Sequence, residues 1–275
     1  MASPYDLVDL ADLKSWLDVQ STDDDALLGA LITQISRTIL TYLDRASILP
    51  AAHVETRDGG NEAALILRQW PVTNIVSLTI NGTVIAPASP LVPGGVRTSG
   101  YVLEPASAAP PGRMQKLALR GKLFTCGVQN VAISYQAGYQ ISGEAALVPL
   151  NAPYTVAAQA PYGAWASDRG VAYANGTPLA AVAANPGTGQ YSVAAGTYTF
   201  AVGDADSAVT LTYGYVPADL AFCCMDWAAE LYAYRDRIGQ RSKSLGGQET
   251  LSFIVKDVPD FVASALQPYR RVIAP

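Results

Sequence analysis

Charged and reactive side chains are both scarce in this sequence. Only 15% of the 275 residues are Asp, Glu, Lys or Arg, while half are hydrophobic, and this balance indicates a folded chain rather than a disordered one. No stretch approaches the roughly 18 uninterrupted apolar residues of a membrane-spanning helix. Residues 1–10 carry acid where a secretory signal carries base. We therefore expect neither a membrane partner nor a secretory leader.

Catalytic motifs are missing as well. The single histidine, His53, stands in a segment that we interpret as a loop or the edge of a sheet. The sequence contains no G-x-S-x-G elbow, no complete phosphate-binding loop and no C-x-x-C pair. Cys223 and Cys224 are adjacent in an apolar predicted helix, which favours small buried side chains over reactive thiols and indicates a reducing compartment. We predict that the protein is not an enzyme and has no catalytic, cofactor or metal site.

The net charge makes nucleic acid an unfavourable binding partner. Eighteen basic residues against 23 acidic ones give a charge of −5, so a basic face that grips nucleic acid is not expected. DNA could still pass close to such a surface without being held.

The stretch Val216–Gly239 predicts the central helix of the chain. Asp219 suits the start of a helix, and two arginines followed by Gly239 suit its end. One apolar stripe of this helix consists of Leu220, Cys224, Trp227, Leu231, Tyr234 and Ile238. A second apolar arc contains Phe222, Met225 and Tyr232. Because a helix that is apolar on two sides must bury both, we predict a buried Trp227 and a subunit interface at Phe222, Met225 and Tyr232.

Residues 1–50 predict the N-terminal helices of a helical bundle. A short amphipathic helix lies within residues 3–19, and a second one follows Ser21, with Thr22 as its expected cap. Asp23, Asp24 and Asp25 resemble a metal-binding cluster, but acid at the start of a helix is the favoured interpretation.

Residues 51–140 predict a small β domain. Period-two patterns and turn residues indicate strands at 64–67, 75–80, 83–85, 101–103, 116–119 and 128–135.

Residues 141–212 differ in composition from the rest. They contain no lysine and are rich in Ala, Gly, Thr, Pro and Tyr, with predicted short strands at 154–157, 189–193, 197–202 and 208–213. The similar strand endings QNVAISYQAGY and SAVTLTYGYVP flank this segment. They suggest a β-sandwich-like module inserted between a strand and the helix that would otherwise follow it.

Residues 213–275 complete the bundle with the central helix and a C-terminal arm. We predict a loop at 240–248, a strand at 249–255 and a short helix at 259–266. The predicted fold class is thus α+β: a small helical bundle with a β domain, plus an inserted small β-sandwich-like module.

Several stretches together resemble the head-tail connector (adaptor) family of long-tailed bacteriophages and gene transfer agents. The similarity covers about residues 7–140 and 213–273, and it rests on their order and spacing more than on any one motif. The stretches are LADLKSWLDVQSTDDDALLGALI, LILRQWPVTNIVSLTING, VAISYQAGY, VPADL, YRDRIGQRSKSLGGQETLSF and PYRRV. The segment 141–212 departs from the family pattern, so the resemblance implies nothing about its role.

The resemblance implies a structural protein of the virion neck, assembled in the host cytoplasm. Family members form a commonly dodecameric homo-oligomeric ring beneath the portal protein, extend the DNA channel used in packaging and ejection, and dock a stopper or tail-completion protein. No cofactor is expected. In this setting Tyr269, Arg270 and Arg271 predict a portal-binding arm, since Tyr and Arg are favoured interface anchors.

A binding module is the alternative from another functional class. Tyr154, Tyr162, Trp165 and Tyr173 in the inserted segment could stack on sugars, as in a carbohydrate- or protein-binding module of a phage tail or fibre protein. In a small sandwich such residues more often form the core.

Overall fold

Helices and antiparallel sheets are both present in the structure, a computed structural model that describes residues 3, 5–89, 95, 98–106, 114–235, 242–245, 249–252 and 258–271. These residues form two compact units. The helical unit combines Met1–Ala46 with Ala218–Arg271, and the β unit spans Ser47–Pro217. The mixed content confirms the predicted α+β class.

The helical unit contains four α-helices within the described residues: α1 (Leu10–Leu17), α2 (Asp25–Tyr42), α3 (Ala218–Tyr234) and α4 (Asp260–Leu266). Helix α1 lies within the predicted segment 3–19, and it ends at Leu17 because Asp18 adopts a left-handed conformation. The N-cap of α2 is Asp24 and not Thr22. Helix α3 begins two residues later than predicted, since Val216 and Pro217 still belong to a strand.

Helices α2 and α3 pack through their most apolar faces. The buried residues of α2 recur at helical spacing, as do those of α3, so each helix presents one continuous stripe to the core. The Ser36 hydroxyl lies 3.6 Å from the Cys224 sulfur, where the two stripes meet. Trp227 is buried, as predicted. The helices of this unit are too short or too polar to cross a membrane, as far as the described residues go.

A two-stranded antiparallel hairpin also belongs to the helical unit. It consists of β15 (Ser242–Leu245) and β16 (Glu249–Ser252). The sequence predicted a loop over the first of these strands, and that prediction is wrong. Of the strand predicted at 249–255, only the part up to residue 252 lies within the described residues.

Two sheets cover the first core of the β unit. The strands are β1 (Ala51–Gly59), β2 (Ala64–Ile66), β3 (Val72–Ile80), β4 (Thr83–Val84), β5 (Gly100–Glu104), β6 (Lys116–Arg120) and β7 (Gly127–Ala137). Their orders in the two sheets are β1-β7-β3-β4 and β2-β6-β5. Every strand predicted in this region is found with small changes at its ends, but β1 was not predicted.

Strand β1 was not predicted because a charged side chain faces the core and an apolar one faces outward. Glu55 points into the unit, where its carboxylate accepts hydrogen bonds from the Tyr135 hydroxyl and from the Arg68 amide at 2.9 Å. Val54, on the other face, is exposed. His53 lies in this strand, which forms the edge of its sheet.

Two further sheets surround a second core. The strands are β8 (Gln140–Leu147), β9 (Thr155–Ala157), β10 (Gly163–Tyr173), β11 (Ala180–Ala181), β12 (Gln190–Ala194), β13 (Thr197–Phe200) and β14 (Ala208–Pro217). Their orders in the two sheets are β8-β14-β10 and β11-β12-β13-β9. The long strand β10 and strand β8 were not predicted, because Gly, Ala and Ser residues obscure the alternation of polar and apolar side chains.

The two cores use separate sets of residues. The buried cluster of the first lies between Leu65 and Ala137, and that of the second between Val148 and Tyr213. The chain enters and leaves the second set of sheets at one place, where the Tyr215 amide donates to the Tyr139 carbonyl at 3.1 Å. The Tyr139 and Tyr215 rings pack edge to face beside it, with centroids 5.9 Å apart.

Candidate functional site

The predicted interface residues of α3 do not form one open surface. Phe222 is 45% exposed, whereas Met225 and Tyr232 are half-buried. The exposed neighbour of Phe222 is Trp16 of α1, which is 48% exposed and meets the Phe222 ring edge to face, with centroids 5.3 Å apart. We call Trp16 and Phe222 the aromatic pair. It is an exposed apolar feature of a kind that is common at interfaces.

Tyr232 joins the end of α3 to the start of α2. Its hydroxyl donates to the Asp24 carboxylate, and the Arg235 guanidinium donates to the same carboxylate at 3.1 Å. The hydrogen bond from Tyr232, followed by Arg235, lowers the pKa of Asp24. The contribution of this contact to stability is therefore present above the unfolded pKa of Asp24 and is lost as the pH falls through the lowered value. The role seen for Tyr232 is a contact within the subunit.

The other aspartates at the start of α2 also have local partners. Asp25 forms an ion pair with Lys14 at 2.6 Å, and Asp23 accepts a hydrogen bond from the Ser21 hydroxyl at 2.6 Å. Across the described residues, no three His, Cys, Asp or Glu side chains are grouped as a metal site would require. These contacts support the interpretation that the three aspartates are acidic residues at the start of a helix and not metal ligands.

The three predicted portal-binding residues lie in and just after a short 3-10 helix that follows α4. Tyr269 is buried, and its hydroxyl donates to Asp219 at 2.8 Å. The Arg271 amide donates to the Leu43 carbonyl, and its guanidinium pairs with Asp44 at 3.2 Å. Arg270 is exposed and lies over the Tyr42 ring. Tyr269 and Arg271 thus hold the C-terminal segment on the helical unit, while Arg270 faces outward.

A groove on the outer face of α2 was not predicted from the sequence. Its volume is about 870 Å³, and its floor is open at Gly29, where an added Cβ would meet no atom within 4 Å. We call it the α2 groove. Its signal in the sequence is a face of small side chains opposite the Leu/Ile stripe of the helix. It is lined by Asp6, Val8, Leu10, Asp25, Ala26, Gly29, Ala30, Ile32, Thr33, Gln34, Arg37, Thr38 and Thr41.

The buried cysteines are unsuited to nucleophilic chemistry. Burial raises the pKa of the Cys223 thiol to about 11 and that of the Cys224 thiol to about 12. Both are therefore protonated near neutral pH, and a thiol is a poor nucleophile compared with a thiolate.

Tyrosine hydroxyls bind three carboxylates in the second set of sheets. Asp168 accepts from Tyr191 at 2.6 Å and from Tyr198 at 3.2 Å. In the same way Asp204 accepts from Tyr173 and Glu144 accepts from Tyr213. These bonds join strands of the module to one another or, at Asp204, to the 3-10 helix Val202–Asp204, so the tyrosines and carboxylates have a structural role.

Most of the aromatic residues considered for sugar stacking are instead hydrogen-bonded or packed inside the module. Trp165 donates from its indole nitrogen to the Tyr198 hydroxyl at 3.2 Å, and Tyr173 is bound to Asp204. Tyr154 packs on the core, which leaves Tyr162 as the exposed member of the four. A single exposed ring gives little support to a carbohydrate-binding platform.

Comparison with known proteins identifies a family over part of the chain. Residues 8–65 match the model of the family described as phage gp6-like head-tail connector protein. The matched stretch contains α1, α2 and β1, with Trp16 and most of the α2 groove. The resemblance to the head-tail connector family is confirmed over these residues. No curated protein matches the chain.

One solved structure similar to the chain is titled "Neck of empty GTA particle computed with C6 symmetry". The similarity covers 100% of this chain and 95% of that chain at 12% sequence identity, with a TM-score of 0.31.

Proposed function

We propose that the protein is a structural component of the neck of a tailed phage or gene transfer agent, where it acts as a head-tail connector. The observation that carries this proposal is the family match over residues 8–65. In this function the chain forms a homo-oligomeric, dodecameric ring beneath the portal protein. The ring extends the DNA channel and offers its other face to a stopper or tail-completion protein. The protein resides in the virion after assembly in the host cytoplasm.

The charge balance supports a channel that does not hold DNA. Eighteen basic residues against 23 acidic ones leave a net charge of −5. Because tight binding to DNA depends on neutralising many phosphates with Lys and Arg, such a chain favours passage without sequence-specific binding.

The chemistry of the chain also supports a structural role. In the parts that the structure describes, several acidic residues are bound to tyrosine, lysine or arginine side chains within the units, and two of the three cysteines are buried. These groups hold the fold together. We therefore propose that the protein catalyses no reaction and binds no cofactor.

Mixing the purified chain with the cognate portal protein is expected to give a ring complex. The measurement is electron microscopy of the mixture, together with the increase in mass expected for twelve copies of the 28.9 kDa chain. The chain without portal is the control, and it can remain a monomer, since the portal can template the ring. Failure to co-assemble over a range of salt and protein concentrations would contradict the proposed function.

We also propose that residues 141–212 are a separate module on the outside of the ring. Their core is distinct from that of the first β domain, and Tyr139 and Tyr215 are already hydrogen-bonded where the segment leaves and rejoins the chain. A module in the lumen would narrow the passage for DNA. Exposed connections generally tolerate insertions, so the outside is the favoured position.

Replacing the residues between Tyr139 and Tyr215 by a two-glycine linker is expected to leave a folded protein that still binds portal. The melting temperature should fall by a few degrees, because Tyr215 and Val216 lose their cross-strand neighbours Trp165 and Ala164. Far-UV circular dichroism and portal co-sedimentation measure the two properties. A variant with two glycines inserted after Tyr139, and nothing deleted, controls for the linker. Loss of the helical signal in the deletion alone would show that the segment is integral to the fold.

A further inference from the structure

The aromatic pair and the α2 groove point away from each other. Phe222 lies two residues from Leu220 and two from Cys224, both fully buried, so its side chain points about 160° away from the buried stripe of α3. Ala30 stands in the same relation to Leu28 and Ile32 on α2. Because α2 and α3 pack through their buried stripes, these two outer faces lie on opposite sides of the helix pair.

The groove is large enough to receive bulky side chains from another chain. A volume of about 870 Å³ falls within the range of pockets that enclose a small ligand. The aromatic pair offers two large rings, each already half exposed in the free subunit. Burial of these rings would remove from water the most apolar exposed feature shared by α1 and α3, which is a favourable contribution to association.

Charge favours the same match. Arg37 lines the groove and forms no ion pair within the described residues. The two groove carboxylates have partners within the subunit: Asp25 is paired with Lys14, and Asp6 accepts hydrogen bonds from the Ser3 amide and the Thr33 hydroxyl. Asp18 follows Trp16 by two residues, and Asp226 follows Phe222 by one helical turn. The aromatic pair is thus flanked by acid, and the groove presents a basic side chain.

We propose that the aromatic pair of one copy of this chain seats in the α2 groove of the next copy. Two different surfaces on opposite sides of a subunit make a head-to-tail contact, and such contacts produce a closed ring when the rotation between subunits fits. The inference rests on the proposed ring function and names the contact that would close the ring.

Filling the groove tests the contact. Gly29→Leu is expected to fold normally, since the new side chain meets open space and leucine favours a helix more than glycine does. The ring formed with portal should fall about tenfold or more near the midpoint concentration for assembly, as expected when an anchor loses its pocket. Gly29→Ala is the matched control and should retain the ring. A full ring from Gly29→Leu at unchanged stability would overturn the proposal.

Cross-linking locates the contact in the assembled ring. In a Cys126→Ser background, Ser15→Cys places a thiol beside Trp16 and Thr38→Cys places one in the groove. A short bismaleimide should convert rings of the double variant into a ladder of oligomers, whereas a mixture of the two single variants should give dimers only. Ser15→Cys combined with Thr22→Cys, which lies outside the groove, is the control pair.

The outcomes separate this inference from the proposed function. Rings that form without the ladder overturn the contact and leave the connector function standing. The absence of any ring from the wild-type chain with portal overturns both.

Discussion

Replacing Trp227 by alanine is expected to lower the free energy of unfolding of the helical unit by about 3–5 kcal/mol. Trp227 is only 5% exposed and lies in the stripe of α3 that packs on α2. Alanine would remove a large apolar surface and leave a cavity that the helices can close only in part. Chemical denaturation followed by circular dichroism at 222 nm measures the effect, because all four helices of the described residues lie in this unit.

Trp16→Ala is the matched control for this prediction. It makes the same chemical change in the same unit, but Trp16 is exposed, and its ring contact with Phe222 accounts for only about 0.5–1.5 kcal/mol. The two variants should therefore differ by several-fold in their cost. Equal losses of stability would mean that the apolar face of α3 is wrongly assigned.

For the helices, the spacing of apolar residues predicted their existence and their buried faces better than their ends. Apolar residues at helical spacing predicted α2 and α3 and the burial of Trp227, because the buried stripe of a packed helix leaves a direct mark on the sequence. The ends of the helices were less predictable. Pro217 fits the first turn of a helix, yet the pairing of Val216 and Pro217 with Ala164 and Gly163 extends strand β14 through it.

The unpredicted strands show where the alternation of polar and apolar residues does not indicate a strand. In β1 the inward side chain is a carboxylate, which is stable there because Tyr135 and Arg68 donate to it. In β10 the small residues give no alternation, and its position is set by its long pairing with β14. Both strands depend on partners that are distant in the sequence, so local propensity could not find them.

The candidate site was only partly predictable for the same reason. The sequence marked Phe222 as apolar and outside the main stripe of α3, and the structure leaves it exposed. It could not show that Trp16 joins Phe222, that Tyr232 is bound to Asp24, or that Tyr269 is bound to Asp219. Each of these contacts joins distant segments of the chain. The subunit interface at Phe222, Met225 and Tyr232 remains a prediction, as does the portal-binding arm at Tyr269, Arg270 and Arg271.

Gly138→Ala is expected to destabilise the β unit by about 3 kcal/mol. Gly138 has a φ of +142°, and an added Cβ would lie 2.5 Å from the backbone of Leu49 and Pro50. The new methyl group would therefore combine an unfavourable backbone conformation with a clash that only movement of another backbone segment could relieve. Urea unfolding followed by tryptophan fluorescence measures the loss, since Trp70 packs against Tyr139, the residue after Gly138.

Gly143→Ala is the control that isolates the clash. Gly143 also has a positive φ, of +72°, but nothing lies within 4 Å of an added Cβ there. That variant should show only the conformational cost of a left-handed alanine, about 1–2 kcal/mol. A Gly138→Ala variant that loses no more than Gly143→Ala would mean that the backbone near Leu49 and Pro50 can move aside. In that case the close approach of these two segments does not fix where the chain enters its second set of sheets.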